Sequence, residues 1–316
     1  CNKNFRNMKI ILPGGAGLVG QNLVAHLKES GYDDITVIDK HLKNIHILEK
    51  LQSDIKVIEA DLSILGEWQS SFKDADVVVM LQAQIGAKKS TLFHQNNVDS
   101  AKNILRIMKS FNVPYLVHIS SSVVESIAQD NYTITKKEQE NLVVESGIKH
   151  VILRPTLMFG WFDRKHLGWL SRFMNKVLFF PIPGHGKYMR QPLYVKDFCN
   201  IIVSCIEKKN QKGPYNITGN EKINYIDIIR EIKKATNAKT IIIKVPYTLF
   251  YTLLWIWALF DRNPPFTTQQ LEALIAKDEF EIIDWPSIFE VVPTPFNKAI
   301  EETFNHPEYS KVDLEF

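Results

Sequence analysis

Tyr132 and Lys136 stand four residues apart in Tyr132-Thr133-Ile134-Thr135-Lys136. On a helix that spacing places both side chains on one face. A lysine cation there lowers the pKa of the phenol and is also placed to hold a ribose. The phenolate then takes a proton from an alcohol while hydride leaves the carbon, or returns the proton in reduction. Ser120, Ser121 and Ser122 lie ten to twelve residues upstream, at the end of an expected strand. A hydroxyl there orients a substrate oxygen, although hydroxyl runs at strand ends are also ordinary turn residues. The tyrosine–lysine spacing is common on surfaces, so its meaning depends on what surrounds it.

A second pattern supplies that context. Pro13-Gly14-Gly15-Ala16-Gly17-Leu18-Val19-Gly20 follows an apolar run and opens a helical one. Gly15, Gly17 and Gly20 satisfy GxGxxG, and Gly14, Gly17 and Gly20 the looser GxxGxxG. Missing side chains let the turn form and let a pyrophosphate approach the helix N-terminus. Asp39 ends the next strand, nineteen residues after Gly20. An acid there holds both ribose hydroxyls and repels a 2′-phosphate, which points to NAD. Lys40 and Lys43 follow closely, so NADP remains the alternative. Gly14, Gly17, Leu18, Val19, Gly20 and Asp39 are thus the first cofactor-binding candidates.

The elements that must position these residues are legible in the hydropathy pattern. Strands are expected at Lys9–Leu12, Ile35–Ile38, Ile55–Glu59, Val77–Leu81, Tyr115–Ile119 and His150–Leu153. Amphipathic helices alternate with them, as at Val19–Glu29 and Val98–Met108. That alternation predicts an α/β fold: a Rossmann-type, doubly wound parallel sheet, with a smaller, mostly helical C-terminal substrate lobe. The expected division is an NAD-binding core over 8–165 and a lobe over 166–316, with about 190–219 returning to the core. The chain of 316 residues is 45% hydrophobic and 23% charged with net charge +3, which is ordinary for a soluble globular protein and gives no nucleic-acid surface. Cys1, Cys199 and Cys205 fit neither a disulfide framework nor a metal knuckle, and a cytoplasmic setting is expected. The nine histidines form no metal-ligand spacing. No signal peptide is recognised, and Met8 fits an original start with Cys1–Asn7 as leader. Tyr247–Phe260 is fourteen residues without a charge. It is shorter than the ~20 residues of a bilayer span. A packing helix in the core or a dimer contact is expected, with a peripheral membrane contact or a re-entrant element as alternatives.

Taken together, these motifs resemble the extended short-chain dehydrogenases/reductases, in particular the NAD-dependent epimerase/dehydratase family. Gly14–Gly20 resembles its TGxxGxxG, with Pro13 in place of the threonine. Asn97-Val98, Arg154-Pro155 with Gly160, and Arg190 with Tyr194-Val195-Lys196-Asp197 are similar to further family elements, so the likeness runs from residue 9 to about 205. The resemblance implies Asp61 against the adenine amine, with Leu62, Leu81, Gln82, Ala83, Ser120 and Pro155 also lining the cofactor. It implies Ser121 as the catalytic hydroxyl, Tyr132 as general acid/base and Lys136 as its partner, both of the latter also touching cofactor. Two departures stand out. Glu125-Ser126 replaces the usual YG, and Ser121 precedes Tyr132 by only eleven residues.

The resemblance further implies reversible redox on a nucleotide-sugar hydroxyl or ketone and a homodimer through helices near Val98–Met108 and Thr133–Val144. An epimerase returns the hydride to the ketone's other face; a dehydrogenase releases the reduced cofactor. Gln84 and Ser122 are substrate candidates. Arg164, Lys165 and Arg190 are candidates for a diphosphate, because an arginine fork matches paired phosphate oxygens. One alternative is a dehydrogenase or isomerase of a hydrophobic alcohol, steroid- or isoprenoid-like, to which the 247–260 segment lends weight. Another is a catalytically idle NAD-binding assembly protein, which the Gln191-Pro192 pair resembles and which Tyr132 and Lys136 argue against. In the C-terminal third, helices are expected over Leu167–Val177, Ile223–Ile232, Thr267–Lys277 and Lys298–Phe304, with Asn263-Pro264-Pro265 breaking the chain. These pieces have no pattern that closes a core of its own, so they should pack on residues 161–190 as a substrate-facing lid.

Overall fold

The computed structural model describes residues 7–209, 213–260, 266–275 and 281–315. Its centre is a seven-stranded sheet in which every pairing is parallel. The strands are β1 (Ile10–Pro13), β2 (Ile35–Asp39), β3 (Lys56–Glu59), β4 (Val77–Met80), β5 (Leu116–Ile119), β6 (His150–Pro155) and, after the lobe strand β7 (Phe179–Pro183), β8 (Tyr215–Ile217). Their spatial order is β8-β6-β5-β4-β1-β2-β3. Six of the seven lie within a residue or two of the positions expected from hydropathy.

Both faces of the sheet are covered, which is why its strands read as unbroken apolar runs. Ile10, Leu12, Val77, Val79 and Val117 face helices α1 (Leu18–Glu29) and, from the second half of the chain, Phe198, Ile201 and Ile202 of α6 (Val195–Lys208). Ile11, Val78, Met80 and Leu116 face the other way, against Ala101, Ile104 and Leu105 of α3 (Ser100–Ser110) and Val143 of α4 (Asn131–Glu145). The remaining core helix, α2 (Leu42–Leu51), follows β2 and buries Leu48. The π-helical turn His94–Asp99 precedes α3 and buries Asn97 and Val98. The outward side of α3 carries Lys102, Arg106 and Lys109, and that of α4 carries Ile134 and Val144.

The lobe has its own cluster, shared among α5 (Leu167–Met174), β7, α7 (Tyr225–Ala235) and α10 (Phe296–Asn305), with Leu167, Phe180, Ile182, Ile229 and Ile300 at its centre. Strand β9 (Ile241–Val245) pairs with β7, and α8 (Tyr247–Phe260) and α9 (Thr268–Ile275) follow. The expected break at Asn263-Pro264-Pro265 and the expected helix end at Lys277 lie outside the described residues, as does Cys1. Trp285 and Phe289 return to the main core, where the Trp285 indole donates to Thr218 O at 3.0 Å. The structure corrects the expectation of a core helix at Tyr247–Phe260: none of the residues of α8 is buried.

Candidate active site

A cleft of about 540 Å³ runs along the C-terminal ends of the parallel strands, the edge where such sheets bind ligands. Gly14, Gly17, Leu18, Val19, Gly20 and Asp39 line one end of it. Gly14 has φ of +77°, and a Cβ there would run into the backbone of Gln82. Gly17 is open instead, with its nearest neighbour 3.7 Å from a built Cβ, and it caps α1 without a side-chain bond. The first amides of that helix therefore face the cleft, a ready anion site.

Asp39 fixes this loop. Its carboxylate accepts from Ala16 N at 3.0 Å, Lys40 N at 2.8 Å and His41 N at 3.0 Å. Asp61 lies alongside. Burial pushes its carboxyl up, but the Ser63 hydroxyl and the Lys40 ammonium outweigh that and hold it below the usual carboxylate range. Lys40 Nζ bonds Asp61 at 2.9 Å and Asn96 Oδ1 at 2.6 Å, while Lys43 pairs with Glu315 at 2.6 Å. Both lysines that left NADP open are thus engaged by acids. Asp39→Ser is expected to narrow a preference for NAD over NADP at least about tenfold, the effect of ~1.4 kcal/mol of lost repulsion. Paired titrations with the two cofactors read this, and an unchanged ratio would remove Asp39 from that role.

Leu62, Leu81, Gln82, Ala83, Ser120, Ser121, Ser122, Tyr132 and Pro155 also reach the cleft wall. Four polar atoms buried along it, Ser120 Oγ, Gln82 Oε1, Thr156 Oγ1 and His41 Nδ1, have no partner among the described residues. Buried polar atoms are normally paired, so a polar dinucleotide fits these walls. Gln84 also lines the cleft, where its backbone N–H donates to Asn97 Oδ1 at 2.6 Å and its Oε1 accepts from Asn96 at 2.7 Å. The same Asn97 donates to Thr135 Oγ1 at 2.9 Å, bolting the cofactor loop to the helix that carries Tyr132.

The short span from Ser121 to Tyr132 is filled by a 3₁₀ turn, Ser122–Glu125, and an exposed stretch ending at Asp130. Asp130 caps α4 by accepting from Thr133 N at 3.0 Å, so Tyr132 falls in the helix's first turn. Ser121 and Tyr132 both line the cleft, and Ser121 Oγ accepts from Val123 N at 3.4 Å. Burial pushes the Tyr132 phenol above its ordinary value, and the neighbouring Ser121 hydroxyl only partly offsets it.

Lys136 departs from expectation. It lies beneath the cleft rather than on its wall, with no exposure, and Nζ donates to Ile119 O at 3.1 Å and Gln139 Oε1 at 2.5 Å. The helical spacing is right, but the side chain turns into the sheet because that carbonyl and amide are its nearest acceptors. Burial pushes its ammonium down to about 7, with Glu140 offsetting part of the shift. The unfolded chain keeps that proton up to ~10.4, so stability should rise with pH between 7 and that value, by at most ~1.4 kcal/mol per unit. Lys136→Met should abolish this slope. The difference between the two proteins isolates it from Cys199 and Cys205, whose thiols burial holds high and which act oppositely above pH ~8.5. Parallel denaturant titrations at pH 7 and 8.5 would measure it; equal slopes would show that Lys136 keeps its charge in the fold.

Arg164 and Arg190 do not reach the cleft. Arg164 donates to Leu314 O at 3.2 Å, and Arg190 to Met189 O at 2.6 Å and to Leu274 O. The cleft lining includes instead Ile85, Val123, Leu157, Met158 and His166. Sequence reasoning missed these, together with Thr156 and Glu315. His166 is held there because Asp163 caps the start of α5, accepting from His166 N at 2.9 Å and Gly168 N at 3.1 Å.

The profile of the NAD dependent epimerase/dehydratase family matches residues 10–218. The chain belongs to this family. That membership and the cleft agree on NAD as the cofactor and on an NAD-dependent oxidoreductase in the broad sense. Among relatives, a UDP-glucose 4-epimerase of Vibrio cholerae is 22% identical over 280 residues, covering 80% of this chain and 81% of the relative. A decarboxylating sterol-4-alpha-carboxylate 3-dehydrogenase of Schizosaccharomyces pombe is 23% identical over 308 residues, covering 87% and 90%. In fold, the chain is similar to a UDP-glucuronic acid 4-epimerase from Bacillus cereus solved with NAD, with a TM-score of 0.71 at 23% identity and coverage of 95% and 98%.

Proposed function

We propose that this enzyme oxidises a secondary alcohol on a ring substrate, reversibly, with Tyr132 as the proton acceptor. The observation that carries this reading is that Ser121 and Tyr132 stand together on the wall of the dinucleotide cleft, close enough for the Ser121 hydroxyl to favour the phenolate. Ser121 Oγ holds the substrate oxygen, and Tyr132 Oη takes its proton as the carbonyl forms. Bound NAD supplies the hydride acceptor. Lys136 lies below, one helical turn after Tyr132, with its Nζ held by Ile119 O and Gln139 Oε1. Burial raises both the phenol's pKa and the cost of the lysine's charge, so the proton balance of the pair is set by desolvation.

For the substrate, the cleft favours an apolar ring alcohol. Its lining includes the apolar side chains of Ile85, Val123, Leu157 and Met158, and the two arginines suited to a diphosphate are bonded to backbone carbonyls elsewhere. The sterol dehydrogenase among the relatives is consistent with that choice. A nucleotide-linked sugar is the second reading, supported by the UDP-glucose 4-epimerase relative. A panel of sterol-like alcohols and UDP-sugars, scored for NAD reduction and for product stereochemistry, separates them. Turnover of sterol-like alcohols alone supports the first reading; epimerised UDP-sugar without net NADH establishes the second and overturns the first.

A further inference from the structure

We propose that α8, with the lysines in and around the strand pair that leads into it, seats the protein on an anionic lipid surface. Only Tyr247, Phe250, Tyr251 and Leu254 are half-buried, the stripe by which the helix rests on the lobe, where Phe250 meets Phe266 edge to face. Leu249, Leu253, Ile256 and Phe260 form the opposite stripe, flanked by Trp255, Trp257 and Leu259, and all seven are exposed, Phe260 to 87%. Exposed apolar residues also stand on and beside the strand pair that leads into α8: Ile241 pairs with Phe179, and these two, Leu178 and Ile243 are exposed. So many large exposed apolar side chains in neighbouring elements mark a binding face.

Length and charge choose the occupant. Fourteen helical residues span ~21 Å, short of a ~30 Å hydrocarbon core. No helix among the described residues is long and apolar enough to cross a membrane. The helix therefore lies along an interface, where tryptophan and tyrosine are favoured. Segments 164–196 and 232–260, which hold the paired strands β7 and β9, carry eleven lysines and arginines and no aspartate or glutamate, although the whole chain is only +3; of these, Arg172 and Lys196 pair with Asp313 and Glu302 from elsewhere. Lys176 and Lys239 precede the paired strands, Lys244 lies within β9 just before α8, and Lys187 follows β7; all four are exposed. A second copy docking through this face would bring these lysines together about a twofold axis without an acid from either segment. Anionic headgroups offer the complementary charge.

The test uses the full chain with phosphatidylcholine vesicles, with and without phosphatidylglycerol, read by flotation and tryptophan emission. Wild-type protein should float with the anionic vesicles and shift its emission to the blue. Replacing Leu253→Glu and Trp257→Glu together should lower partitioning at least about tenfold. Replacing Lys239→Gln and Lys244→Gln should lower it roughly tenfold or more, and added salt should mimic that loss. All these side chains are exposed, so melting curves should match wild type, and substrate turnover plays no part in the readout. Wild-type protein that stays unbound on anionic vesicles overturns the proposal, as does equal partitioning of the glutamate variant. A lipid-free mass of two chains that falls to one in the glutamate variant would assign the face to a second copy instead.

Discussion

Tyr132→Phe should lower turnover of an identified substrate by about 10²–10⁴-fold, the usual worth of a positioned general acid/base. Phenylalanine keeps the ring that fills this part of the cleft wall and removes only Oη, the atom whose ionisation the neighbouring Ser121 hydroxyl favours. The helix should survive, because its start depends on Asp130 capping Thr133 and its inner face on Thr135, Gln139 and Val143. Affinity for NAD should change little, since the glycine turn and Asp39 lie at the other end of the cleft. Substrate KM should rise less than kcat falls, because the lost interaction acts on the proton in flight. Calorimetry with NAD and steady-state kinetics decide the matter. Wild-type kcat in the variant would leave Tyr132 without a chemical role.

Gly20→Val should cost the protein its cofactor, at least a hundredfold in NAD affinity, or ~2.7 kcal/mol, together with a lowered melting temperature. A Cβ on Gly20 would overlap the Gly15 carbonyl and come within 2.5 Å of the Gly15 Cα. Neither backbone can retreat. Gly15 is held by its amide to Leu12 O at 3.1 Å, and Gly20 is locked in α1, where Leu23, Val24 and Leu27 pack on the sheet. Gly17→Ala is the informative companion, because its Cβ meets only the Gly14 carbonyl oxygen at 3.7 Å. That variant should melt like wild type yet bind NAD more weakly, its methyl standing where pyrophosphate approaches the helix. If Gly20→Val binds NAD normally with a native melting curve, the turn does not hold the cofactor in the way described.

What could be read from the chain alone was local or periodic. The strands β1 to β6 and helices α1 and α3 follow from runs of apolar residues whose repeat matches one backbone geometry. The glycine turn follows from steric demands within eight residues, Gly14 to Gly20 after Pro13, and Asp39 follows from the length of one βαβ unit. The pairing of Ser121 with Tyr132 needed only the strand end and the next helix start, even with the shortened loop between them. Each of these is fixed by neighbours in sequence, so the pattern carries the information.

Tertiary structure decided the remainder, because it turns on which distant atoms compete for a side chain. Lys136 has the expected helical position, yet the Ile119 carbonyl and Gln139 draw its ammonium under the sheet edge, where desolvation controls its charge. Arg164 and Arg190 have the right chemistry for phosphate, but Leu314, Met189 and Leu274 supply the carbonyls that bind them. Glu315 reaches the cofactor cleft from the far end of the chain to pair with Lys43, a contact across 272 positions that no local pattern encodes. The apolar run at Tyr247–Phe260 specified a helix but not its surroundings, since an all-round apolar helix satisfies its backbone equally well in a core or at an interface. Only the packing of α8 along a single half-buried stripe placed the remaining apolar surface outside.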